Sequence, residues 1–208
     1  MGIVERKLRD KEEMKKQILS TAMNLYLEEG YGNMSLRRIA EKIEYSPATI
    51  YLYFKDKDEI LYALHTAGFD ELFRRQQEVV SIKDPGERLK KHGEIYIRFA
   101  LENPEYYNLM FITRGPAKKF SENDEWTVGR RSYEFFQQDV QRAIDAGVLP
   151  RSDARIAAFG LWSVAHGIVA LILRNRCVML DQDKLSEIAL SAFHYILQVH
   201  KPASGARR

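Results

Sequence analysis

The chain has 208 residues, 45% hydrophobic and 29% charged, with a formal net charge of +3. That length holds one good core or two small ones, and the near-neutral balance means that any affinity for a polyanion comes from a local patch rather than bulk charge. A single cysteine, Cys177, leaves no internal disulfide and no cysteine-built zinc site, and it suits a reducing cytoplasm.

Residues before Lys11, with Arg6, Lys7 and Arg9, read as a mobile basic arm, either reaching phosphates or a minor groove or merely solvated. The charged start runs straight into a helix, so no signal peptide is read there. A long helix is expected over 11–29, with Ile18, Ala22, Leu25 and Tyr26 as its apolar stripe and Gly30 as its stop. Ser35 is placed to cap a second helix, in which Leu36, Ile39, Ala40 and Ile43 recur at helical spacing. Arg37, Arg38, Glu41 and Lys42 fill its other side. Ser46 offers another cap, and Pro47 follows at the first helical position, where its missing N–H costs nothing. The helix from Pro47 to about Tyr53 should turn Ile50 and Phe54 inward and leave Thr49, Tyr51, Leu52 and Tyr53 outside. A helix–turn–helix of this length puts its second helix in a DNA major groove.

Downstream, a long helix over 57–80 carries Ile60, Leu61, Leu64, Phe69, Leu72 and Phe73 and joins this head to a body. Asp84, Pro85 and Glu87 mark the start of a helix running to about Asn103. Pro104 opens another, to about Thr113, and Arg114, Gly115 and Pro116 break it. A polar loop is expected over 115–123, then a helix over 123–146 closed by Gly147. Ser152 or Asp153 caps a helix to about Arg174, and a last helix covers 183–199, ahead of a disordered tail. The most apolar run, 159–173, reads as too short to span a bilayer and therefore as a buried helix. No stretch alternates like a strand. The expected fold is all-α: an N-terminal three-helix helix–turn–helix head and a larger C-terminal helical body.

The order Gly30-Tyr31-Gly32, Ser35, Arg37, Ile39-Ala40, Ser46, Thr49-Ile50-Tyr51, Tyr53-Phe54, Lys55, Lys57 resembles the DNA-binding domain of TetR-family transcriptional regulators. The resemblance covers 11–71. Glu44 stands where that family usually carries glycine, Tyr45 where it carries a small aliphatic, and Ala48 where glycine is common. If the turn requires a positive φ at Glu44, the backbone there is strained. The resemblance implies a DNA-contacting set of Ser35, Arg37, Ser46, Pro47, Ala48, Thr49, Tyr51, Leu52, Tyr53, Lys55 and Lys57. Within it, Arg37, Lys55 and Lys57 suit phosphates, Tyr51 and Tyr53 suit hydroxyl bonds to phosphates, and Thr49 and Leu52 suit thymine methyls. The alternative for Tyr51 is the core, and for Lys57 a solvated cap.

In the body, Trp162, His166 and Gly167 resemble the C-terminal domain of the TetR subgroup called WHG after those residues. Trp162 and His166 share a helix face, and His166 reads either as a hydrogen-bonded core residue or as a ligand contact. Gly167 allows a close helix approach, within the chain or across a dimer. Tyr96, Phe99, Tyr106, Tyr107, Phe111, Trp126, Tyr133, Phe135 and Phe136 crowd three successive helices. Most must be core. Since TetR regulators commonly sense a small molecule there, the resemblance implies a pocket drawn from Tyr96, Phe99, Tyr107, Phe111, Trp126, Tyr133, Trp162 and His166. With no cluster of one charge, the ligand is expected to be apolar or weakly polar.

The last two helices are apolar on more than one side, and the resemblance implies a homodimer packed through them on a palindromic operator. The body is therefore expected over 84–200, for ligand sensing and dimerisation. No histidine has glutamate three positions before it, as a di-iron bundle requires, and neither a phosphate-binding glycine loop nor a nucleophile elbow appears. The sequence thus reads as a cytoplasmic regulator without catalysis, cofactor, metal or membrane, most simply a ligand-released repressor. The rival reading is a ligand-independent dimeric DNA-binding protein.

Overall fold

A computed structural model describes residues 2–113 and 127–199, which form α-helices and two 3₁₀ turns with no strand among them. The helices are α1 (Ile3–Asn33), α2 (Leu36–Lys42), α3 (Pro47–Tyr51), α4 (Lys57–Gln76), α5 (Pro85–Glu102), α6 (Pro104–Phe111), α7 (Thr127–Asp145), α8 (Ala154–Leu173) and α9 (Leu185–Val199). The fold is all-α, as expected.

Local chemistry sets most of the boundaries. Ser35 Oγ accepts the Arg38 N–H at 3.3 Å, and Ser46 Oγ accepts the Thr49 N–H at 3.2 Å. An Asp84 carboxylate oxygen accepts the Glu87 N–H at 2.8 Å. Of the two candidate caps before α8, Asp153 is the one used, accepting the Arg155 N–H at 2.8 Å, while Ser152 Oγ donates to the Pro150 carbonyl.

Three helices end alike. After α2 the Tyr45 N–H reaches the Ala40 carbonyl and the Glu44 N–H reaches Glu41, the paired bonds of a Schellman motif. After α7 the same pair runs from Val148 to Ala143 and from Gly147 to Ile144, and after α8 from Arg176 to Leu171 and from Asn175 to Ile172. The motif needs a left-handed residue, and φ is 69° at Gly147, 52° at Asn175 and 59° at Glu44. Glycine and asparagine enter that region readily, and glutamate does not.

Two expectations about α1 change. The residues before Lys11 are helical rather than an arm. The Gly2 N–H donates to the Glu5 carboxylate at 2.9 Å, and Arg9 pairs with Glu13 one turn on at 3.6 Å, so their charges support a helix. Gly30 does interrupt the helix, with φ 74° and ψ 173°, but a further turn follows it to Asn33.

The described residues fall into two compact units, one of 2–68 and 105–113, the other of 69–104 and 127–199. In the first, Ile18, Ala22 and Leu25 of α1 pack with Leu36, Ile39 and Ala40 of α2, Ile50 of α3, Phe54, and Ile60, Leu61 and Leu64 of α4. Its α6 was expected in the body. It joins the head because Leu109 enters the head core and Gly68 leaves room for Tyr106 and Met110, where a Cβ would stand 2.6 Å from the Met110 sulfur. The Tyr26 hydroxyl is also hydrogen-bonded to Thr113. His65 is fully buried in this unit, and burial pulls its pKa down to about 4.

The second unit packs α5, α7, α8 and α9 around Leu89, Val140, Ala143, Ile144, Ala158 and Leu161. Within it lies a buried ionic cluster that the sequence reading did not single out. Asp139 on α7 accepts from His92 Nε2 at 2.7 Å, stands 2.8 Å from Arg88 Nε on α5, and is bonded by Arg142. Burial by itself would raise the Asp139 pKa, but the His92, Arg88 and Arg142 partners outweigh it and hold it at about 2. The 3₁₀ turns are Gln77–Ser81, which ends the α4 segment, and Gln182–Lys184 before α9.

The expectation that 159–173 is too short for a bilayer and buried does not hold. Helix α8 has 20 residues and an 18-residue stretch of mean hydropathy 2.1, long and apolar enough by length and composition to cross a membrane, and 22% of that stretch is buried. Ala154, Ala158, Leu161, Ala165 and Val169 face the core, whereas Ile156, Phe159 and Leu171 are 72%, 59% and 52% exposed. Among the described residues no helix covers that other side. The expected loop over 115–123, the start of its following helix and the tail lie outside the described residues.

Candidate nucleic-acid interface

The head sets a short helix on a fixed support. Two capped helices, α2 and α3, are joined by the Glu44 turn, and Ile50 and Phe54 anchor the second in the core at 0% and 3% exposure. What remains of α3 faces outward. Ser46, Pro47 and Ala48 are exposed, as are Tyr51 and Leu52, and Tyr45 stands beside them in the turn. Thr49 is half-buried, with Oγ1 3.0 Å from Ser46 Oγ. Tyr53, expected outside, packs partly against the head core, because it follows the end of α3.

Arg37 and Lys55 are exposed at the edges of this surface, and Ser35 is half-buried as the α2 cap. Lys57 has a structural task. Its Nζ donates to the Tyr31 carbonyl at 3.0 Å and lies 4.1 Å from the Tyr31 ring centre. Tyr31 in turn donates to Asp58 at 2.6 Å, and that bond, with burial and the nearby carboxylates, raises its pKa to about 12. The end of α1 is thereby tied to the start of α4, which explains a use for Tyr31 and Lys57 that the sequence reading assigned to DNA or left open.

The expected pocket residues divide. Tyr107 and Phe111 lie in the first unit, 5.5 Å apart between ring centres. In the second, the Tyr96 hydroxyl is 3.0 Å from His166 Nδ1, His166 lies 5.6 Å from Trp162, and Trp162 meets Tyr133 edge-on at 5.9 Å. Burial lowers the His166 pKa and raises that of Tyr133, so the cluster favours neutral groups. Phe99 is fully buried in the same unit, under Arg75. Trp126 lies outside the described residues. A separate groove of about 310 Å³, lined by Phe73, Arg130, Arg131, Glu134 and Phe135 among others, contains none of the expected residues. Its aromatic floor was visible as composition, but its shape depends on α4 and α7 coming together.

A family model for bacterial regulatory proteins of the tetR family matches residues 18–64, and one for the tetracyclin repressor-like C-terminal domain matches 89–193. The chain belongs to the TetR family. Over 176 residues it is 23% identical to an uncharacterized HTH-type transcriptional regulator, YobS, of Bacillus subtilis, covering 85% of this chain and 87% of that protein. Among solved structures, the TetR-family regulator PfmR of Thermus thermophilus superposes with a TM-score of 0.66 at 22% identity, over 92% of this chain and 99% of that one. The fatty acid degradation regulator FadR of Bacillus halodurans gives 0.72 at 19%, over 93% and 96%. At those identities the superpositions speak for the fold. As a TetR-family member the chain is a DNA-binding transcriptional regulator and not an enzyme.

Proposed function

We propose that the protein is a homodimeric repressor in the cytoplasm that a small apolar or weakly polar effector releases from a palindromic operator. The observation that carries the assembly is the uncovered apolar side of α8, where Ile156, Phe159 and Leu171 stand in solvent. A contiguous apolar surface of this kind marks an interaction site. Among the described residues nothing lies within 4 Å of a Cβ built on Gly160 or Gly167, so neither glycine serves a close approach between described helices, and both leave room for a second helix. A second copy packed on α8 and α9 through a two-fold axis repeats the reading head with the symmetry of a palindrome.

In this reading each α3 enters a major groove. Arg37 and Lys55 meet phosphates, Ser35 and Ser46 hold the helix starts, and Lys57 lends charge while it anchors Tyr31. The effector contacts Tyr96, Tyr133, Trp162 and His166, whose burial disfavours charge. The description of the Bacillus halodurans neighbour as a fatty acid degradation regulator agrees with an apolar effector. Helix α4, which contributes residues to both units, carries the change. A hundredfold release needs about 2.7 kcal/mol of difference in effector affinity between the two states.

Sedimentation velocity on the wild type and on Phe159→Glu tests the assembly. A dimer that becomes monomeric and loses operator affinity supports it, and an unchanged sedimentation coefficient for the variant refutes it. For the switch, equal operator affinity with and without a bound effector removes it.

A further inference from the structure

We infer that the reading surface of α3 selects its operator through thymine methyl groups rather than through hydrogen bonds to base edges. The inference rests on the proposal that α3 enters the major groove. From Ser46 to Phe54 the chain has no arginine, lysine, asparagine, glutamine, aspartate or glutamate. Those are the side chains that make the bidentate contacts to guanine and adenine or accept from cytosine. What α3 presents instead is hydrocarbon. Leu52, at the end of α3, is 80% exposed. Pro47 and Ala48 are exposed next to it, and Tyr45 adds a ring from the turn.

Ser46 and Thr49 carry the short hydroxyls of this surface. Thr49 Oγ1 is within hydrogen-bond distance of Ser46 Oγ, which also accepts the Thr49 N–H. Both hydroxyls take part in the cap, and Thr49 carries a methyl group beside its hydroxyl. The tyrosine hydroxyls of Tyr51 and Tyr53 stand at the ends of long rings and suit phosphate oxygens, which carry no sequence information. In the major groove the apolar feature of unmodified DNA is the C5-methyl of thymine. An apolar reading surface therefore discriminates by burying that methyl.

The test begins with selection of bound duplexes from a random DNA library by the full-length wild-type protein. Each thymine of the selected site is then replaced singly by deoxyuridine, which removes the methyl and leaves every hydrogen-bonding group. Replacement at the thymines under Thr49 and Leu52 is expected to lower affinity about fourfold each, the loss expected for one buried methyl. Cytosine and 5-methylcytosine at the same positions should differ in the same sense, with the methylated base bound more tightly. Leu52→Ala, at an exposed position that folding does not depend on, should bind thymine and deoxyuridine sites equally at its position. If a sequence is selected and no deoxyuridine substitution changes affinity, the methyl inference is overturned while α3 keeps its place in DNA recognition. If no sequence is enriched at all, sequence reading by α3 fails, and this inference fails with it.

Discussion

Replacing Glu44 by glycine should make the protein more stable. Glu44 occupies the left-handed position of the Schellman motif between α2 and α3 at φ 59°, with both motif hydrogen bonds formed. A residue with a Cβ pays about 1–2 kcal/mol for that conformation. Glycine removes the cost but gives the unfolded chain more freedom, which returns about 0.4–1 kcal/mol. The difference is a net stabilisation of about 0.5–1 kcal/mol, equivalent to a rise in Tm of about 1–4 °C for a chain of this size. The side chain is exposed, so no packing is lost. Urea unfolding of Glu44→Gly, Glu44→Asn and Glu44→Ala at one pH provides the assay. Asparagine should fall between glycine and the wild type, as its own use at Asn175 after α8 suggests, and alanine should match the wild type within a few tenths of a kcal/mol. If alanine and glycine stabilise equally, the glutamate side chain and not the backbone is the source. A loss of stability in the glycine variant refutes the strain argument outright.

Two further outcomes follow from packing and charge. Gly93→Ala places a Cβ 1.9 Å from a ring carbon of Phe193, which is itself 1% exposed and has nowhere to go. It should destabilise by about 1–3 kcal/mol, whereas Gly32→Ala, with nothing within 4 Å, should not; thermal melts of the two variants compare them directly. His65 is held neutral, with its pKa lowered to about 4 by burial, so the unfolded chain binds the proton first as pH falls. Its stabilisation is complete above the unfolded pKa of about 6.5 and is lost down to pH 4, a loss of about 3 kcal/mol. The slope of unfolding free energy between pH 7 and 4.5 should flatten in His65→Leu, and an unchanged slope would show that His65 is not the group responsible. The loss tied to Asp139 belongs to a lower window, below its unfolded pKa and down through about 2.

The helix starts were legible because a cap is a contact within three residues. Ser35, Ser46 and Asp84 act through atoms that are neighbours in the chain, and their hydrogen bonds appear where the spacing put them. The core face of the head was legible for the same reason, since Leu36, Ile39 and Ala40 share a face by helical period alone. The left-handed turn at Glu44 was foreseen only through family resemblance. The N-terminal arm was misread because its charges suit a solvated tail as well as a helix with paired charges.

By itself the sequence determined an all-α chain with a helix–turn–helix head, and the motif carried enough spaced positions to indicate a DNA-binding regulator. Only the tertiary structure decided which long-range neighbours each side chain met. It placed α6 with the head, put Tyr107 and Phe111 in one compact unit and Tyr96 and His166 in the other, and tied Lys57 to Tyr31. It gathered Arg88 and His92 from α5 around Asp139, and it left one side of α8 uncovered. Caps and periodicity are fixed by bonds a few residues apart, whereas burial and charge pairing depend on which distant helices pack together, and that is settled only when the whole chain folds.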